Sequence, residues 1–148
     1  MQSTQVRVSV SSAAGNTFEA SQLYLNPAVG SEKNSLEEVW RPKKKESEYV
    51  QVDLGRIQPT SQVETRGYGF EWVQSYNISH SVNAKDFLFI TDYDGSRKLF
   101  EGNHDAENSV TNTFGPYPAR YVRLYPVDFH ERPTLKWKIS YTGSQLML

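Results

Sequence analysis

Apolar and polar residues alternate with a period of two along several stretches of the chain. Val6, Val8 and Val10 alternate with polar residues, and the same pattern recurs over 50–54 and 135–141. Successive side chains of a strand point to opposite faces, so each stretch predicts a strand with one solvated face. Further strands are predicted over 63–66, 73–82, 87–91, 98–101, 110–114 and 120–125. About eight or nine strands at this spacing predict a sandwich or a barrel.

Turn-forming residues separate these strands and predict the breaks between them. They are Gly55, Pro59, Gly67 with Gly69, Asp94-Gly95, Gly102-Asn103, Gly115-Pro116 and Pro133. Helical signal is confined to Ser35-Leu36-Glu37-Glu38, a capping-box pattern that Pro42 ends after about one turn. Residues 13–39 are therefore the longest stretch without a strand pattern, and loops of that length in compact domains are usually functional.

Composition narrows the possible functions. The chain has 148 residues and a net charge of -1, which predicts one domain over 1–148 and no nucleic-acid partner. It contains no cysteine, which excludes disulfides, thiolate zinc sites and a cysteine nucleophile. No run approaches about 18 apolar residues, and Met1 to Val10 lack a signal peptide's apolar core, so neither a membrane span nor a leader is predicted.

The sequence contains little evidence for a catalytic site or a metal-binding site. The three histidines, His80, His104 and His130, fall in no catalytic motif, and the chain is predicted not to be an enzyme. The segment 92–95, Asp-Tyr-Asp-Gly, begins like a calcium loop, but Ser, Arg and Lys follow it and favour a hairpin turn. We predict no cofactor, while a structural calcium held by backbone carbonyls stays open.

Five sequence blocks have the order of a known family. They are 40–55 (W-R-P, then Y-V-Q-V-D-L-G), 72–76 (W-V-Q-S-Y), 99–103 (L-F-E-G-N), 110–114 (V-T-N-T-F) and 119–126 (A-R-Y-V-R-L-Y-P). Together they resemble the discoidin family, also called the coagulation factor V/VIII type C domains. The resemblance implies an all-β, antiparallel β-sandwich, a discoidin-like jelly roll of about eight strands with projecting binding loops. It also implies ligands that are phospholipid, carbohydrate or protein, depending on the member.

The chain departs from the family pattern at two positions near its end. Extracellular animal members usually close the domain with a disulfide, and here Ser144 stands where the second cysteine would fall. The family's R-x-E in the last strand is replaced by Lys136-Trp137-Lys138, so its usual ion pair is missing. Without the disulfide, we expect the sandwich to depend on packing for its stability.

The resemblance places three binding loops at 13–25, 30–39 and 67–72. Rings on glycine-flanked loops are costly to leave exposed without a purpose, whereas Leu23, Trp40 and Trp72 are expected to pack beneath the loops. The predicted ligand contacts combine rings, which supply area, with a charged pair that orients the ligand. They are Phe18, Arg66, Tyr68, Phe70 and Glu71.

The charge of these loops bears on the kind of ligand. Five glutamates lie in or beside them, and carboxylates offset the gain of about 1 kcal/mol that each Lys or Arg brings at an anionic membrane. We therefore expect a glycan or protein ligand, such as a matrix or cell-surface component, in extracellular cell adhesion. A phosphatidylserine-type phospholipid membrane binder is the alternative, and a cytoplasmic interaction domain is a third. Lys43 to Lys45 are interpreted as a solvated turn rather than a heparin-like patch.

Overall fold

The computed structural model describes residues 7–10, 40–42 and 48–141. They contain seven strands: β1 (Arg7–Val10), β2 (Val50–Arg66), β3 (Trp72–Ser81), β4 (Leu88–Phe89), β5 (Phe100–Glu101), β6 (Val110–His130) and β7 (Lys136–Tyr141). All strand pairs are antiparallel, which confirms the all-β prediction. Among these residues we find no helix long and apolar enough to cross a membrane.

The two longest strands, β2 and β6, run through both layers of the sandwich. Residues 50–53 of β2 lie between β1 and residues 121–124 of β6, in a sheet of order β1-β2-β6-β3-β4. Residues 62–65 of β2 lie instead between β7 and residues 110–113 of β6. The short strand β5 pairs with β3. Both long strands therefore pass from one layer to the other.

The predicted breaks at Gly55, Pro59 and Gly115-Pro116 are wrong, because all of these residues lie inside continuous strands. Between the pairs Asp53–Tyr121 and Gln58–Ala119, four residues of β2 oppose a single residue of β6. Such bulges bend a strand and increase its twist. Gly55 has a φ of 88°, which a residue without Cβ adopts at little cost. Glycine and proline therefore occur both where a strand bends and where it ends in a turn, and the local sequence does not distinguish the two.

The core is built from large rings and branched aliphatic side chains. Its largest members, all below 2% exposure, include Trp40, Trp137, Tyr76 and Phe100. Trp40 was expected to lie in the core, and it does so while pairing with Leu135 through backbone hydrogen bonds of 2.8 and 2.9 Å. This pairing brings the segment 40–42 against the start of β7.

Candidate functional site

A tight hairpin joins β2 to β3 and forms the third predicted loop. Tyr68 N donates to Glu71 O over 2.9 Å, and Glu71 N donates to Tyr68 O over 3.0 Å. Gly69, the first of the two central residues, has a φ of 67°, whereas Phe70 has no positive φ. This combination is typical of a type II′ turn, whose twist matches that of the flanking strands. The hairpin is therefore closed by its own backbone.

Gly67 lets the two arms of this hairpin approach each other closely. A Cβ at this position would collide with the carbonyl oxygen of Glu71 and lie 2.6 Å from Trp72 Cβ. Real Cβ atoms do not come so near to neighbouring heavy atoms, so a side chain here would force the arms apart. Gly67 was predicted as a break between strands, and the structure shows that close packing also requires a glycine at this position.

The side chain of Glu71 ties the hairpin to two other segments. Its Oε1 lies 2.8 Å from Arg41 Nη2 and accepts a hydrogen bond of 2.6 Å from Thr134 Oγ1. Thr134 is fully buried, and the side chains of Glu71 and Arg41 are 20% and 26% exposed. The carboxylate was expected to contact ligand, yet its Oε1 is committed to holding the hairpin.

A second anchor is the stacking of Trp72 on His130. The ring centroids are 4.2 Å apart and the rings are inclined by 13°, and the two residues are paired across β3 and β6. Trp72 is half-buried rather than a core residue like Trp40. The β3 side of the β2–β3 hairpin is thus fixed against the sandwich at two successive residues, Glu71 and Trp72.

The remaining predicted contact residues differ in their accessibility. Phe70 occupies the tip of the turn and is 82% exposed, whereas Tyr68 and Arg66 are half-buried. Phe18 and the predicted loops 13–25 and 30–39 lie outside the described residues. The hairpin therefore brings together Arg66, Tyr68, Phe70 and Glu71, with Phe70 as the prominent apolar group.

Two buried nitrogens beside the hairpin lack hydrogen-bond acceptors within the described part of the chain. They are Arg66 Nε and Trp72 Nε1. A buried donor without a partner costs about 1–3 kcal/mol, so native structures seldom retain one without a reason. Because both atoms are shielded from the surface, neither can reach a ligand in this conformation.

A residue that sequence reasoning did not assign to the site supports it from below. Asn103 is 1% exposed and its amide joins Thr65 to Asn108 through three hydrogen bonds of 2.9–3.1 Å. Its backbone N also donates to Val73 O over 2.8 Å. Thr65 immediately precedes Arg66, so this network fixes the strand end that carries the arginine. The G-N pair in the family-like block 99–103 was the available signal.

The hairpin carries less uncompensated negative charge than its composition indicates. Glu71 is neutralised by Arg41, so it contributes less repulsion toward an anionic ligand than the count of glutamates predicts. No cluster of three or more His, Asp or Glu side chains that could hold a metal ion occurs within 7–10, 40–42 and 48–141.

Comparison with known proteins identifies the family. The model of the F5/8 type C domain matches residues 3–139. The chain belongs to this family. It is 36% identical to mouse lactadherin over 97 residues, which are 62% of the chain and 21% of lactadherin. The chain thus spans about a fifth of the length of this curated relative.

Solved structures show the same fold. Discoidin II of Dictyostelium discoideum superposes with a TM-score of 0.74 at 16% identity, over 90% of the chain and 54% of that protein. The module CBM32-5 from Clostridium perfringens, in complex with GalNAc-β-1,3-galactose, superposes with a TM-score of 0.67 at 13% identity, over 90% and 94%. The discoidin-like jelly roll is confirmed, and the F5/8 type C chain is a non-catalytic binding module.

Proposed function

We propose that this F5/8 type C domain is an extracellular adhesion module of residues 1–148 that binds a glycan or protein partner with its hairpin end. The observation that carries the proposal is the 82% exposure of Phe70 at the tip of an anchored turn. A phenylalanine ring can bury some 150–250 Å² on contact, and leaving that area in water is unfavourable. A partner that covers the ring recovers this free energy.

The anchoring of the hairpin favours binding because it reduces the entropy lost on association. Backbone hydrogen bonds close the turn, Arg41 and Thr134 hold Glu71, and Trp72 stacks on His130. A preorganised surface spends less of its interaction energy on ordering loops. Glu71 acts in this proposal as a positioning residue, while Phe70 supplies the contact area.

Polar recognition is assigned to Arg66 at the end of β2, beside the hairpin. Arg66 is half-buried with its Nε enclosed, and a guanidinium donates through its terminal nitrogens to acceptor oxygens, such as sugar hydroxyls or partner carbonyl and carboxylate groups. An aromatic ring next to a polar side chain suits a sugar, whose apolar face can stack on the ring while its hydroxyls form hydrogen bonds. The disaccharide complex of the Clostridium perfringens module, which shares the fold, supports a glycan as the first candidate. Phe18 and Tyr68 complete the proposed contact set.

The test replaces Phe70 and compares it with an equally accessible ring elsewhere. Tyr93 is 100% exposed at the tip of the turn 92–95, so Tyr93→Ala is the matched control. We expect wild type and Tyr93→Ala to bind the same members of a panel of glycans and immobilised collagen. Phe70→Ala should weaken that binding at least about tenfold while its melting temperature stays within about 2 °C. Equal binding by all three chains would contradict the proposal.

A phospholipid membrane is the second candidate, because an exposed ring on a projecting turn can also enter a lipid interface. Sedimentation with phosphatidylcholine vesicles, with and without phosphatidylserine, distinguishes the two functions. Tight pelleting that needs phosphatidylserine, weakens with salt and requires Phe70 would favour the membrane function. Absence of pelleting together with glycan or collagen binding favours adhesion.

A further inference from the structure

The outer face of the five-stranded sheet carries a continuous set of arginines and rings. Gln51, Arg123, Ser79 and Phe89 are cross-strand neighbours in successive strands β2, β6, β3 and β4. They lie on the face of the sheet opposite the core, since their neighbours along each strand, such as Val52 and Ile78, are buried in the core. Ser79 is itself 0% exposed beneath the larger side chains of this face. This row crosses the middle of the sheet, away from the β2–β3 hairpin.

Arg123 is held flat between two aromatic rings. Its guanidinium carbon lies 4.4 Å from the centroid of Tyr49 and 3.9 Å from that of Phe87. Its Nε donates to Gln51 Oε1 over 2.8 Å. Its Nη1 also donates a long hydrogen bond of 3.5 Å to Tyr125 Oη. Stacking and these hydrogen bonds fix the plane of the guanidinium and leave Nη2 for a further acceptor.

A second arginine lies on the adjoining ring of the same face. The guanidinium of Arg97 lies 3.8 Å above the centroid of Phe89, and Phe89 packs on Tyr125 with centroids 5.0 Å apart. Tyr125 in turn contacts Tyr49, with centroids 5.7 Å apart. We call the connected set the arginine–aromatic face. Its members are Tyr49, Phe87, Phe89, Arg97, Arg123 and Tyr125.

Neither Arg97 nor Arg123 has a carboxylate partner within the described residues. The ion pairs formed there by arginines are Arg41–Glu71 and Arg120–Asp53. Two positive charges are therefore held by rings rather than by negative charges. An oriented guanidinium loses less entropy when it forms paired hydrogen bonds with an anion.

We propose that the arginine–aromatic face is a second binding surface, which takes a sulfated polysaccharide. The guanidinium of Arg97 covers one face of Phe89, and that of Arg123 lies between Tyr49 and Phe87. The face therefore presents two oriented cations suited to charge-assisted hydrogen bonds with sulfate. Arg123 lies on the inner strand β6, and Arg97 stacks on Phe89 of the edge strand β4, so the face extends from the middle of the sheet to its edge. A flexible chain with repeated sulfates can contact both arginines at once and gain from that multivalency.

The experiment measures retention on immobilised heparin, a sulfated polysaccharide, together with the dissociation constant for heparin in solution. We expect Arg97→Gln to weaken binding about threefold and Arg97→Gln with Arg123→Gln at least about tenfold. The matched control is Arg56→Gln with Lys138→Gln, which removes the same charge from residues outside this face and should change binding less than twofold. Arg97 is exposed and makes no hydrogen bond among the described residues, so its single variant tests the surface without endangering the fold.

Other outcomes would overturn the proposal. No binding of the wild type to heparin at low salt would refute it, and an equal loss in the control pair would show attraction by net charge alone. Loss confined to a variant of Lys43, Lys44 and Lys45 would place the site on that segment. Stronger binding to polyglutamate than to heparin would indicate an acidic peptide instead. None of these outcomes depends on Phe70, so the hairpin function is tested separately.

Discussion

Glu71 and Arg41 form an ion pair of 2.8 Å between the turn that precedes β3 and the segment that enters the core at Trp40. The same carboxylate oxygen accepts the hydroxyl of Thr134, just before β7. One oxygen therefore joins three segments that are distant in the sequence. Because these contacts are mostly shielded from water, their loss should affect both stability and the presentation of Phe70.

The first prediction concerns the coupling between Glu71 and Arg41. Glu71→Gln and Arg41→Met should each lower the free energy of unfolding by about 1–2 kcal/mol, with a coupling of about 1 kcal/mol in the double-mutant cycle. Urea denaturation gives the free energy of unfolding of the wild type, the two single variants and the double variant. The control is the cycle of Glu64→Gln and Lys138→Met, a 3.7 Å pair that is about one-third exposed and should couple by about 0.5 kcal/mol or less. Strict additivity at Glu71 and Arg41 would contradict the anchoring role.

The second prediction compares two glycines of the same hairpin. Gly67→Ala should lower the free energy of unfolding by about 3 kcal/mol, since the added methyl group meets the Glu71 carbonyl and Trp72. Gly69→Ala should cost only about 1–2 kcal/mol, because its surroundings are open and only its positive φ is unfavourable. Gly69→Asn should cost less still. Chemical denaturation ranks the three variants, and a larger loss at Gly69 than at Gly67 would refute the close approach.

The strands could be predicted because period-two alternation is a local signal of one buried face. Val50 and Val52 in β2 alternate with more exposed residues as predicted. In β7, Trp137 and Ile139 are buried as predicted, but Lys136, expected on the solvated face, is only 6% exposed. The joining of 50–54 with 63–66 into one strand could not be predicted. Gly55 and Pro59 have the local preferences of a turn, and only pairing with β6 shows that the strand continues through them.

The candidate site was predictable only in part, for a similar reason. Phe70 between Gly69 and Glu71 indicated an exposed ring, and the ring is exposed. The role of Glu71 depends on Arg41 and Thr134, which are 30 and 63 positions away. The sheet topology brings such distant partners together, and the type of a single residue does not indicate which partners it will meet. The arginine–aromatic face was missed because its members come from separate strands and turns.

The third prediction concerns the buried amide of Asn103, which holds the end of β2. Asn103→Asp keeps the size of the side chain but loses two donors and places a carboxylate beside the carbonyls of Thr65 and Asn108. We expect a loss of about 3 kcal/mol or more in the free energy of unfolding. Asn83→Ala, at an exposed turn, should cost about 1 kcal/mol or less because water replaces its contacts. Similar losses for the two variants would contradict a supporting role for Asn103.

The last prediction concerns the pH dependence of stability at His80. Its imidazole is half-buried and stacks on Tyr117 with centroids 4.7 Å apart, and burial lowers its pKa below the ordinary 6.5. The folded chain therefore binds the proton less readily than the unfolded chain, so stability falls as the pH drops through 6.5 toward the lower, folded pKa. His80→Phe should show a shallower decline between pH 7 and pH 5 in urea denaturation. In NMR titrations, Tyr117→Ala should raise the pKa of His80 toward 6.5 by admitting water. A folded-state pKa above 6.5 would show that burial does not control this group.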